Sequence, residues 1–214
     1  MYLPAHFEET RPEILHALMR DCPLATLVVS GAEGLDANHV PLQLVAVPGE
    51  PDRLRGHVAR ANPLWKQAAG GIPALAIFHG AEAYVSPGWY PTKQRHGKAV
   101  PTWNYAVVHA HGTLRAIDDA GWLRAQVGAL TRAHEAGREK PWHVGEAPAD
   151  YIDGMIKAIV GIELTITRLT GKWKTSQNQP AENQLGVIAG LQGEARPGAQ
   201  SMVPLVQSVL KEPA

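Results

Sequence analysis

Between Leu24 and Ile117 six strand-type runs follow one another with hardly a helix among them, and this limits the fold more than any other feature. The runs are Leu24–Ser30, Asp36–Val47, Arg53–Ala59, Ile72–Phe78, a segment near Glu82–Trp89, and Val100 to about Ile117. Turn residues separate them, with signals at Gly31–Gly34 and Pro48–Asp52. A parallel sheet needs a crossover helix after most strands. Only a short helix, roughly Leu64–Ala69, fits between these runs. Antiparallel pairing remains. A seventh run at Ile159–Leu169 alternates apolar and polar residues. The expected class is mainly β with peripheral helices, an α+β antiparallel barrel.

Helices flank the strands. Pro12 and Glu13 open one that carries Ile14, Leu15, Leu18 and Met19 at helical spacing and stops at Pro23. Ala120–Glu135 is amphipathic, Ala149–Lys157 reads as helical, and Pro180 opens another helix to about Leu191. The expected organisation is one domain over 1–191. A tail over 192–214 follows, with a short helix at Met202–Leu210.

The charge totals are 20 basic and 20 acidic residues. A broad nucleic-acid surface usually carries a basic excess, so this balance disfavours DNA as a partner. So does the long Gly/Pro loop after Ala120–Glu135, where a helix-turn-helix needs a tight turn. The lone cysteine, Cys22, has no intrachain partner and fits a reducing compartment. The N-terminal residues contain no apolar signal core, and no apolar run approaches the roughly 20 residues of a membrane span. A cytoplasmic protein is expected.

Candidate sites are diffuse. Phe78–His111 holds six of the thirteen aromatic residues. On a strand, Trp103, Tyr105, Val107, His109 and His111 share one face, and Thr102, Asn104, Ala106 and Val108 the other. Such a surface suits either a flat, partly polar ligand or a barrel wall packed with rings. Gly56–Pro63 combines a strand end with His57, Arg60, Asn62 and a helix start, which suits an anion; Asn62 is equally a helix cap. His39 lies beside Pro41, where an edge or bulge is expected because proline has no ladder N–H. Gly171–Asn178 packs Lys172, Trp173, Lys174 and Gln177 into an expected loop. His109-x-His111 pairs two imidazoles, but a metal centre requires more ligands at a defined spacing, and none is expected. No nucleophile elbow, Walker loop or dinucleotide fingerprint occurs.

Several motifs taken together resemble the PaiB family. They are Met1-Tyr2-x-Pro4-x-His6-Phe7, Ala37-Asn38-His39-x-Pro41, and Gly56-His57-x-Ala59-Arg60-Ala61-Asn62-Pro63-x-Trp65. Tyr84-x-Ser86-Pro87-x-Trp89-Tyr90, Val100-Pro101-Thr102-Trp103-Asn104-Tyr105 and Gly171-Lys172-Trp173-Lys174-x-Ser176-Gln177-Asn178 complete the set. The resemblance implies an FMN-binding split β-barrel of antiparallel Greek-key type. It also implies a homodimer with flavin at the interface and a negative regulatory role in transcription. Carried over, the phosphate would lie near His57, Arg60 and Asn62, with His39 in the cleft. Ser86, Trp103 and Asn104 would contribute from the hairpin, and Trp173, Lys174 and Gln177 from the late segment. An FMN-dependent oxidoreductase acting on a small molecule is the alternative, the flavin carrying the chemistry and the chain positioning it.

Overall fold

The computed structural model describes residues 1–31, 34–196 and 198–212. The turn expected at Gly31–Gly34 and the last residues of the tail lie partly outside them. The chain divides into two compact units. The first comprises Met1–Leu18, His79–Val108 and Thr170–Ala214; the second comprises Met19–Phe78 and His109–Leu169.

The strands are β1 (Glu8–Glu9), β2 (Leu24–Gly31), β3 (Gly34–Pro41), β4 (Gln43–Val45), β5 (Arg53–Ala59), β6 (Ile72–Val85), β7 (Thr102–Ile117) and β8 (Ile159–Lys174). They form one sheet in the order β3-β2-β6-β7-β8-β5-β4, with β1 beside β8. The registers of β1 with β8, β2 with β3 and β6, and β5 with β4 and β8 are all antiparallel. The sheet is open, and its two end strands are consecutive pieces of one run of chain. Pro41 closes β3, and Leu42 leaves the ladder to donate its N–H to Pro23 O at 2.8 Å. The chain then turns to pair with β5 through Gln43–Val45. A proline without a ladder donor marks that bend, as the edge expectation required.

The helices are α1 (Pro12–Asp21), α2 (Leu64–Gln67), α3 (Pro91–His96), α4 (Ala120–Glu135), α5 (Ala149–Lys157), α6 (Ala181–Gln192) and α7 (Ala199–Gln207). In the second unit the Asp119 side chain accepts the N–H of Trp122 at 2.6 Å and caps α4. Leu27, Leu54, Leu114, Leu123, Ile162 and Leu164 are fully buried there. In the first unit α6 and α7 pack together. Val187, Leu191, Met202 and Val206 are fully buried, with Val85 and Tyr90 in the same cluster. The segment after residue 191 thus supplies core to this unit.

Four local expectations are corrected. Ile72–Phe78 and Glu82–Trp89 are not two strands: β6 runs unbroken through His79-Gly80-Ala81, where a single glycine is too weak a turn signal. Pro87–Trp89 is a 3-10 turn, capped by Ser86 Oγ accepting from Gly88 N–H at 3.1 Å. The stretch between Trp89 and Val100, where no element is expected, contains α3, with Pro91 in its first turn and Gly97 at φ 68° closing it. Finally, β8 extends to Lys174, so Trp173 and Lys174 sit on a strand end rather than in a loop. No described helix is long and apolar enough to cross a membrane.

The α6 helix makes room for Trp89. A Cβ on Gly186 would lie 1.9 Å from the Trp89 carbonyl oxygen, and one on Gly190 would lie 2.2 Å from its indole. Alanine in an open helix gains roughly 1 kcal/mol over glycine. At Gly186 we expect the opposite sign. Gly186→Ala should cost about 1–3 kcal/mol, because backbone must move to admit the methyl. The denaturant midpoint reads this, and a midpoint at or above that of the parent chain contradicts the packing.

Candidate functional site

In the second unit, β5 leads into a turn at 60–63 and then into α2, which is a single turn of helix. A dipole built from so few peptides is weak. Arg60 already engages four of its five N–H donors. Its Nη1 and Nη2 reach both Asp118 oxygens at 2.9 and 2.6 Å; Nε donates to Lys157 O at 2.8 Å and Nη2 also to Ile159 O at 3.1 Å. The bonded guanidinium holds the Asp118 carboxyl below its ordinary range, and the carboxylate raises Arg60. Asn62 accepts the Leu64 N–H at 2.9 Å and donates to Asn38 Oδ1 at 2.7 Å. His57 Nδ1 lies 2.9 Å from Gln126 Oε1. His39 is exposed on β3 opposite Thr26. This segment is therefore a bonded corner in which cap and Arg fork are both engaged with the protein.

In the first unit a cleft of about 420 Å³ opens between the start of β7, the end of β8, the α3 segment and the entry to α6. That volume is in the range of small-molecule sites. Tyr90, Ala99, Val100 and Pro180 give it apolar walls, and His96, Lys98 and Lys174 give it cationic groups. Among the described residues that line it there is no carboxylate. Lys174 Nζ donates to Thr102 Oγ1 and, at 2.8 Å, to Trp103 O. Burial, and then the charge of Lys172, push the Lys174 ammonium below its ordinary pKa. That charge is held at a cost which an electron-rich ligand would offset.

The floor is Asn104, only 1% exposed. Its Nδ2 donates to Ser176 Oγ at 2.9 Å, while its Oδ1 has no partner among the described residues. A buried acceptor left unpaired costs roughly 1–3 kcal/mol. Ser176 has φ 67°, a left-handed conformation unusual for a residue with a side chain. It is held there by its neighbours: Gln184 Nε2 donates to Ser176 O at 3.1 Å. Gln177 bridges the turn, accepting from Thr175 N–H at 2.7 Å and donating to Trp173 O at 2.5 Å. Asn183 accepts the Thr92 N–H at 3.3 Å and donates to Thr92 Oγ1 at 3.0 Å. With the Arg95–Glu182 ion pair, this ties α3 to α6. Strain held in place by several hydrogen bonds is characteristic of binding sites.

The two faces of β7 differ in burial near its start. Asn104, Ala106, Val108 and Ala110 are buried, whereas Trp103 is 48% exposed and stacks edge-on against Tyr84, centroids 6.0 Å apart. The amide face, not the aromatic face, meets the cleft. Of the sequence candidates, the structure brings together Asn104 and Lys174, with Gln177 behind them as a brace. Trp103, Trp173 and Ser86 lie in the same unit but do not line this cleft. His96, Lys98, Thr102, Ser176 and Asn183 were missed. Ser176 was within a quoted motif, and Lys98 lay in a loop whose helix went unread. His109 and His111 are tilted neighbours 6.3 Å apart. Among the described residues no group of three His, Cys, Asp or Glu gathers as for a metal ion.

Comparison with known proteins places the chain among flavin-binding domains. Residues 1–168 match the family described as "Putative FMN-binding domain". An uncharacterised protein of Emericella nidulans is 35% identical over 90% of each chain. Protease synthase and sporulation protein PAI 2 of Bacillus subtilis is 27% identical over 99% of each. The FAD and heme binding protein of Mycobacterium smegmatis shares the fold, with TM-score 0.59 at 21% identity, covering 78% of this chain and 73% of that one.

The bonding of Arg60 yields a prediction. A phosphate would have to displace Asp118 to use that fork. We expect Arg60→Ala to change affinity for FMN and for riboflavin, which has no phosphate, by the same factor in equilibrium titrations. A loss confined to FMN would put the phosphate on Arg60.

Proposed function

The chain belongs to the FMN-binding split-barrel family of the PaiB type, and on that premise we propose that it serves as a redox-linked regulatory module whose flavin enters the cleft beneath Lys174 and Asn104. FMN is the cofactor of the family. The observation that carries the reading is the unpaired, buried Asn104 Oδ1 at the floor of a carboxylate-free cleft. Elsewhere in native proteins such groups find partners. Here the partner is supplied by a ligand.

The residues fit the group. The isoalloxazine is flat and apolar with polar edges, and the cleft has apolar walls with donors and one acceptor at its floor. Bound FMN would supply one- and two-electron chemistry, and the chain would bind and orient it. A role on DNA finds no support in charge, since the net charge is zero.

We propose a homodimer as well. Trp103 and Tyr84 form an exposed aromatic pair, with Val100, 74% exposed, nearby in sequence on the same hairpin. Exposed apolar surface of this kind commonly marks an interface. A symmetric copy would bury the pair.

Two measurements test these proposals. The visible absorption spectrum of the protein mixed with FMN and freed of excess should keep the flavin bands; a colourless protein would refute flavin binding. Sedimentation at micromolar concentration should show a species of twice 23.1 kDa, shifted toward monomer by Trp103→Glu. A parent chain that sediments only as monomer contradicts the dimer.

A further inference from the structure

Resting on the reading that FMN is bound, we propose that the cleft recognises a cyclic imide edge, the carbonyl–NH–carbonyl side of the isoalloxazine, with Asn104 Oδ1 accepting from the ring N–H and Lys174 donating to a flanking carbonyl.

Three observations lead there. The floor offers an acceptor: Asn104 Nδ2 is bound to Ser176 Oγ at 2.9 Å, which leaves Oδ1 as the free end of the amide. A phosphate dianion has no donor to give it. The occupant of the floor is therefore not the phosphate end of the cofactor. The rim offers donors. Lys174 has two acceptors, Thr102 Oγ1 and Trp103 O, for three N–H bonds. Lys98 and His96 lie on the same lining, which carries no carboxylate among the described residues. The ligand edge must then be a donor flanked by acceptors. The walls are apolar and shaped by Tyr90, Val100 and Pro180, which requires that this edge belong to a flat ring.

The order acceptor, donor, acceptor separates candidate rings. It is met by the imide of the isoalloxazine and by uracil or thymine. Adenine does not present it. Asn104 is nearly covered, so the ring reaches Oδ1 only when a cleft side chain yields. Lys174 is the one whose present contacts, a hydroxyl and a carbonyl, a ligand carbonyl can replace. The Asn104 amide itself stays fixed, because Ser176 is locked in its left-handed turn by Gln184 and the Gln177 bridge. An ammonium beside the imide favours any form of the ring that carries negative charge. Lys174 is thus a specificity residue for the edge and an electrostatic one for the bound ring's potential.

The test uses the full chain and four ligands: FMN, riboflavin, N3-methyl-FMN and UMP, each titrated by tryptophan fluorescence. The expected result is FMN binding, N3-methyl-FMN at least about tenfold weaker, and no displacement of FMN by UMP at comparable concentration. Methylation removes the only ring donor and leaves Asn104 unpaired, a cost of that order. Lys174→Met should weaken FMN and riboflavin by the same factor and lower the reduction potential of bound FMN. A purely structural lysine would leave the potential unchanged. Equal affinity for FMN and N3-methyl-FMN overturns the imide assignment while leaving flavin binding intact. Displacement of FMN by UMP at similar affinity overturns it in favour of a pyrimidine nucleotide. Failure of every flavin to bind refutes the underlying reading instead. The N3-methyl arm uses the parent chain and so does not depend on how a variant folds.

Discussion

The hydrogen bond from Asn104 to Ser176 is the contact on which the cleft depends. It joins the start of β7 to the turn after β8, and it costs two things to keep. Ser176 must hold φ 67°, and Asn104 must leave Oδ1 without a partner in a buried position. Neither cost is relieved by an apparent gain in core packing. A ligand with a donor would satisfy the Asn104 acceptor, while the turn at Ser176 stays held by its neighbours. The surrounding bonds make sense on that basis: Gln177 and Gln184 hold the turn, and Thr92 with Asn183 holds the opposite wall. A site preorganised in this way spends less ordering entropy when it binds.

Much of the fold was legible because it rests on period and punctuation. The alternation in Ile159–Leu169, the proline at position 41 and the amphipathic spacing of Ala120–Glu135 each predicted the element found. The failures have local causes. Ile72–Val85 forms one strand, although the apolar run ends at Phe78 and the next begins near Glu82. The helix α3 is not among the expected elements, although Pro91 and Gly97 bracket it with the usual start and stop residues. At six residues it leaves too short a pattern for periodicity to detect. The tail helix α7 carries Pro204, which argues against a helix by propensity, yet burial of Met202 and Val206 outweighs it.

The site was less legible than the fold. Asn104 and Lys174 emerged from their motifs, but their roles depend on which face of β7 turns inward. Alternation alone divides a strand into two faces without saying which is buried. The aromatic face suited either a ligand wall or a packed one, and it is mixed: Trp103 is exposed, whereas Val107 is buried. The anion site at Arg60 was chemically reasonable in isolation. What the sequence could not reveal was Asp118, 58 residues away, which occupies the guanidinium. A cation is informative about ligands only once its protein partners are known. Lys174, whose partners are a hydroxyl and a carbonyl, remains able to serve an acceptor; Arg60, bound to a carboxylate, is already served.

The most direct test of the account is a titration of isotope-labelled protein with FMN, followed by the side-chain amide and backbone resonances. The Asn104 side-chain amide and the backbone of residues 174–183 should shift first and saturate together, while residues 57–62 move little. Saturating shifts centred on residues 57–62, with Asn104 and Ser176 unchanged, would contradict it.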